Sequence, residues 1–200
     1  MHRSIFCGLA VLSVVGVLPG VAMAGSKVTT HVRSYDIEGE NGRALIQAMD
    51  KSGPKHGFLT RAIAQTSYTI DWDFDLKAKA DVCHLRAASA TLDMTYMYPR
   101  VTTPMSPALR KRWQRFLSGV REHEQTHGRI ARQGITAAER AVADLAVAND
   151  PHCIKTQREA QRRVDEIYKQ YEAKQVVFDQ REHRQGGRVE ALVARLVKEH

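Results

Sequence analysis

The hydrophobic period of this chain changes once along its length, and that change restricts the fold more than any other feature. Tyr68, Ile70, Trp72 and Phe74 alternate with Thr69, Asp71, Asp73 and Asp75, the period-2 pattern of a half-buried strand. A polar turn around Lys77–Asp81 leads into a second run from Cys83 to Tyr98, in which Leu92, Met94, Tyr96 and Tyr98 share one face. The β-branched and aromatic stretch Thr29–Ile37 supplies a further strand. Past Pro99 and Pro104 the period becomes helical. Leu109, Trp113, Phe116, Leu117, Val120, His127, Ile130 and Ala131 recur at three- and four-residue spacing. Strands followed by helices give an α+β domain, with a small antiparallel sheet packed against a long helix and C-terminal helices.

Local signals set the boundaries. A short helix is expected from Gly42 to Met49 and a loop over Ser52–Gly57, where Gly and Pro break the pattern. Ser106-Pro107 reads as an N-cap followed by a first-turn proline. The helical pattern runs on through an Ala-rich stretch to Val147. One unbroken helix of that length would exceed about 60 Å, so a kink or break is expected near Gly134. Another helix is expected from Thr156 to Val177, with Val164, Ile167, Tyr168 and Tyr171 on its apolar face. A Gly186-Gly187 break precedes a last helix, Val189 to Lys198. There are no repeats and no linker long enough to divide domains.

The N-terminus reads as an export signal. Met1-His2-Arg3, an apolar run from Ile5 to Val17 and Ala22-Met23-Ala24 form a basic region, a hydrophobic region and an A-x-A cleavage site. Residues 1–24 are therefore expected to be a signal peptide and residues 25–200 a single domain, periplasmic or secreted. A retained N-terminal anchor is the alternative, but the apolar run is short for a membrane span. Cys7 leaves with the signal, and the two cysteines that remain are Cys83 and Cys153. In an oxidising compartment they are expected to pair, against the alternative of two buried thiols.

The formal net charge of +8 falls by one when Arg3 is removed. Between Arg100 and Arg140 nine Lys or Arg face three Glu, which allows weak contact of Arg110, Lys111, Arg112 and Arg115 with anionic envelope polymers. A solvated helix face explains the same residues. Export argues against nucleic acid as a partner.

The chemistry lies in His123-Glu124-Gln125-Thr126-His127, an H-E-x-x-H sequence. On a helix, residues four apart share a face, so two imidazoles can converge on one Zn²⁺. The glutamate between them is placed to act as general base on a water. Trp113, Phe116, Val120, His123 and His127 lie on one stripe, so both histidines point toward the core, where ring nitrogens need partners. Two hydrogen-bonded histidines on an amphipathic helix are the alternative. A catalytic zinc takes three protein ligands, and the position six residues past the second histidine is Gln133. Downstream candidates are His183, His152, Glu139, Asp144, Glu159, Glu166 and Asp179. His183 stands out because Asp179, four residues earlier, can orient its ring. His31, His56 and His84 are expected to be structural or exposed.

These residues resemble a bacterial family of predicted secreted zinc-dependent proteases, catalogued as a domain of unknown function. The likeness covers Trp72-Asp73-Phe74, Cys83, the helix with Trp113, Phe116 and His123–His127, Cys153, and a C-terminal element. That element is similar to Tyr-Asp-x-x-Thr-x-His-Gly and here reads Phe178-Asp179-Gln180-Arg181-Glu182-His183-Arg184-Gln185-Gly186. It departs from the family pattern: Glu182 replaces the threonine, Arg184 stands in the histidine column, and His183 comes one residue early. The resemblance implies a zinc site.

The expectation is thus an exported zinc metallopeptidase acting on peptide or protein substrates in the cell envelope. His123, His127 and His183 hold Zn²⁺, Glu124 is the general base, and the Leu92–Tyr98 strand offers an edge to an extended substrate. Tyr168, Tyr171 or an arginine would serve the oxyanion. The alternatives are a zinc hydrolase of cell-wall amide bonds and a non-enzymatic envelope zinc or binding protein.

Overall fold

The structure is a computed structural model that describes residues 25–56 and 60–198; the expected signal peptide lies outside them. Its core is a mixed sheet in the order β1-β5-β4. Strands β4 (Gln65–Lys79) and β5 (Val82–Val101) form the expected antiparallel pair, from Lys79 opposite Val82 to Gln65 opposite Met97. The register slips between Asp75 and Leu76, a β-bulge. Strand β1 (Lys27–Ile37) pairs parallel to β5, with Lys27 opposite Thr91 and Ile37 opposite Val101. The wholly antiparallel sheet expected above is corrected here. The chain crosses from β1 to β5 through helix α1 (Gly42–Ser52), a small hairpin of β2 (Lys55–His56) with β3 (Thr60–Arg61), and β4. Strand β2 falls within the Ser52–Gly57 stretch expected to be a loop.

Strand β5 is central, bonded to β1 on one side and to β4 on the other. It cannot offer the substrate edge expected of it; among the described residues the free edges of the sheet belong to β1 and β4. Ala90, Leu92, Met94, Tyr96 and Tyr98 of β5 are buried on one face, as their alternation requires.

Helix α2 (Pro107–Val142) lies across that face. The Ser106 side chain accepts the Leu109 N–H and Pro107 occupies the first turn, the expected start. The helix is unbroken through Gly134, about 54 Å for 36 residues. Gly134 serves close packing: a Cβ there would stand 3.2 Å from the Tyr171 ring. Gly128 lets α2 approach the sheet, because a Cβ there would collide with the Tyr96 hydroxyl. The helix stops at Val142, short of the expected Val147. Ala146–Val147 forms a short strand, β6, on β5.

Helix α3 (Ile154–His183) returns antiparallel to α2: Arg163 donates to the Ala141 carbonyl, Tyr171 faces Gly134, and Gln175 donates to the His127 carbonyl. A disulfide joins Cys83 of β5 to Cys153 at the start of α3, with Cα atoms 5.2 Å apart. Trp72 donates its indole N–H to the Tyr168 hydroxyl, tying β4 to α3. Helix α4 (Arg188–Val197) packs on the N-terminal half of α2, with Leu192 against Gly119. Among the described residues no helix is long and apolar enough to cross a membrane.

Candidate metal centre

His123 and His127 sit where the buried stripe of α2 passes under the C-terminal end of α3. Val164, Ile167, Tyr168 and Tyr171 begin a stripe on α3 that continues as Gln175, Phe178, Asp179, Glu182 and His183, all at helical spacing. The first half of this face is apolar and packs on α2 and the sheet. In the second half every residue but Phe178 is polar, and it faces the two histidines.

His123 Nε2 and His127 Nε2 are 3.3 Å apart. Asp179 Oδ1 lies 3.3 Å from the first and 2.9 Å from the second. Zinc bonded tetrahedrally to N and O donors at about 2.0–2.1 Å separates those donors by roughly 3.3 Å. The triangle therefore matches the edges of such a site. The ligating atoms of His123, Asp179 and His183 also lie within 4.8 Å of one another. The His183 ring meets that of His123 edge-on, with centroids 5.3 Å apart. His123 is buried, Asp179 half-buried and His183 exposed, so His183 approaches from the solvent side.

The hydrogen bonds set the direction of the lone pairs. Gln175 donates its amide to the His127 carbonyl at 3.1 Å, so its Oε1 faces His127 Nδ1 at 2.6 Å and accepts that N–H. His127 Nε2 is left aiming a lone pair at a carboxylate oxygen 2.9 Å away. Two lone pairs at that distance repel unless positive charge lies between them. A proton or a cation meets the need. Burial works against the His127 imidazolium, but the Asp179 and Gln175 hydrogen bonds and the Asp179 and Glu124 charges outweigh it and raise the pKa. For Asp179, burial pushes the pKa up, and the hydrogen bonds and charges of the two histidines hold it well below the usual range. A donor set of two neutral imidazoles and an ionised carboxylate suits Zn²⁺. The residues fit the ion.

Glu124 is 6% exposed. Thr66 of β4 donates to Glu124 Oε2 at 2.6 Å and sits 3.0 Å from the Glu124 carbonyl. Burial raises the Glu124 pKa, and it outweighs the lowering by Thr66 and by the histidine charges. Burial thus makes Glu124 a more basic carboxylate than usual, one suited to take and return a proton.

The remaining candidates are engaged elsewhere. Glu159 pairs with Arg162 and Arg163, Glu166 with Arg162, and Glu139 accepts from Ser26. Asp144 and His152 are exposed, as are His31 and His84. Tyr168 is held by Trp72, and Tyr171 packs against Gly134. Tyr68 stands closer to the centre, with its hydroxyl 3.4 Å from the Gln175 amide nitrogen. Arg110, Lys111 and Arg115 are exposed, whereas Arg112 donates to the Leu196 carbonyl.

Asp179 is one of the downstream candidates that the sequence offers, set there behind His183; Gln175 and Thr66 are not among them. The signal for Gln175, and for preferring Asp179, is the periodicity of α3. The helix was expected to end at Val177, which removed Asp179 and His183 from the stripe that faces the histidines. Thr66 carries no sequence signal, since its role depends on β4 lying beside α2.

Residues 32–187 match a family described as a bacterial protein of unknown function (DUF922). No curated protein and no solved structure matches the chain.

Proposed function

The chain belongs to the DUF922 family of bacterial proteins of unknown function, and we propose that it is an exported zinc-dependent metallopeptidase. The observation that carries this reading is the triangle of His123 Nε2, His127 Nε2 and Asp179 Oδ1, with sides of 2.9–3.3 Å, beside the buried Glu124. His123, His127 and Asp179 would hold the metal. His183 is a further donor within reach from the solvent side. When bound, zinc would supply Lewis acidity that brings the pKa of a water toward about 7 and polarises a carbonyl.

The chain's own residues do the rest. Gln175 holds the His127 ring in the tautomer whose Nε2 can ligate. Glu124 takes a proton from the attacking water and returns it to the leaving amine, and its raised pKa favours both transfers. Thr66 keeps the Glu124 carboxylate in one orientation. Thr66 and Tyr68 lie on β4, whose outer edge is unpaired among the described residues. An extended peptide can add to that edge beside Glu124 by main-chain hydrogen bonds. Export is supported by the leader-like N-terminus and by the Cys83–Cys153 disulfide.

The first experiment is metal analysis of the purified protein together with peptide hydrolysis by wild type and Glu124→Gln. The reading expects one zinc per chain in both and hydrolysis only in wild type. Full activity in the variant would overturn the mechanism. Cell-wall amide bonds are a second substrate class for the same site, and a panel of muropeptides and unmodified peptides separates the two. The reach of His183 favours one further reading, a closed four-donor structural site. Zinc in wild type with no hydrolysis of either substrate class would support it.

A further inference from the structure

The two histidines are not supported equally. His127 Nδ1 has the Gln175 oxygen at 2.6 Å. His123 Nδ1 is buried and has no hydrogen-bond partner, although the residue is only 7% exposed. A buried ring nitrogen left this way is costly and leaves the tautomer undefined. Glu182 faces it. Its Oε2 stands 4.0 Å from His123 Nδ1, on a side chain only 12% exposed. Its other oxygen, Oε1, is 3.7 Å from Arg181 Nε. A carboxylate this enclosed needs a donor, and the nearby buried donor is the unpartnered His123 N–H.

We propose that Glu182 is the positioning residue for His123: its carboxylate accepts the Nδ1 proton and holds the ring with Nε2 turned toward Asp179 and His127. The inference rests on the zinc reading above and assigns the second support of the same centre. Closing the gap needs about 1 Å of movement, which rotation of the flexible Glu182 side chain supplies, to reach the usual length of a charge-assisted hydrogen bond. The ring need not move. Phe178 already stacks on it, with centroids 4.9 Å apart and planes at 28°. His123 and His127 would then be oriented by different chemistries, a carboxylate for the first and a neutral amide for the second. The carboxylate makes His123 the more strongly donating ligand.

The test compares wild type, Glu182→Ala and Glu182→Gln by zinc competition against a chromogenic chelator. The His123 tautomer is read by nitrogen-15 NMR of the metal-free proteins. Wild type is expected to show a protonated Nδ1. Glu182→Ala should bind zinc about 10- to 100-fold more weakly and show mixed tautomers. Glu182→Gln, whose amide oxygen can still accept, should keep the tautomer and recover part of the affinity; it also serves if the alanine variant folds poorly. Wild-type affinity together with an unchanged tautomer in both variants would overturn the proposal. If wild type binds no zinc, the zinc reading fails, while loss of the tautomer in Glu182→Ala still supports the positioning role and its retention overturns it.

Discussion

Asp179 Oδ1 lies 2.9 Å from His127 Nε2, although 52 residues of chain separate them. The contact exists because α3 folds back along α2 in a fixed register, with Tyr171 seated on Gly134 and Gln175 on His127. The sequence offers Asp179 both as a candidate third ligand and as a carboxylate that orients His183. In the folded chain it reaches the two motif histidines itself.

Asp179 should therefore dominate metal affinity over His183. Asp179→Ala is expected to weaken zinc binding by about 100-fold or more, since it removes a charged donor and not an orienting group. His183→Ala should cost clearly less. Chelator competition on both variants decides this, and equal losses would make His183 an equal ligand.

The pH dependence of hydrolysis should follow Glu124. It must be ionised to accept a proton, so kcat/KM falls as pH drops through its pKa. That pKa is raised by burial, which places the acid limb above the ordinary glutamate value of about 4.3. The Thr66 hydrogen bond works in the opposite direction, favouring the carboxylate. Thr66→Val should move the acid limb to higher pH, and a shift to lower pH would contradict the assignment.

Asp150 should matter for stability more than its place outside the centre suggests. It is 4% exposed, and its carboxylate accepts from the backbone N–H groups of Lys155 and Thr156 and from the Thr156 hydroxyl, at 2.7–3.2 Å. It thus caps α3 beside the disulfide. Burial alone would raise its pKa, but these bonds outweigh burial and hold it below the usual value. A lowered carboxylate pKa stabilises the fold above the unfolded pKa of about 3.9, and that contribution is lost as pH falls through the folded value. Asp150→Ala should lower Tm by several degrees at neutral pH. The difference from wild type should shrink in acid, which thermal melts at both pH values will show.

The disulfide closes a separation of 70 residues between β5 and α3. In the chain-entropy model this contributes about 4 kcal/mol. The Cys83→Ser, Cys153→Ser double variant should unfold at markedly lower denaturant. Because Cys153 begins the helix that carries Gln175 and Asp179, its zinc affinity should fall at denaturant concentrations where wild type still binds.

Much of this architecture was legible along the chain. The period-2 run around Trp72, the Ser106-Pro107 start and the His123–His127 stripe each follow from interactions a few residues apart. Other features could not be read that way. The parallel pairing of β1 with β5 depends on where the crossover places β5 relative to β1, and nothing within Lys27–Ile37 encodes it. Gly134 looked like a helix break because glycine is a poor helix former. It is tolerated because the Tyr171 ring needs the space where its side chain would be.

The sequence by itself put two histidines on one face of a helix with a glutamate between them, because a four-residue spacing on an α-helix is a local geometric fact. It also marked out the two cysteines that pair. Only the tertiary structure decided that Asp179 joins the histidines, that Gln175 and Glu182 stand behind their rings, and that β1 and β4, not β5, have the free edges. Those outcomes depend on the antiparallel register of α2 against α3 and on the order of strands in the sheet. Both are set by packing between segments far apart in the chain, which periodicity within one segment does not report.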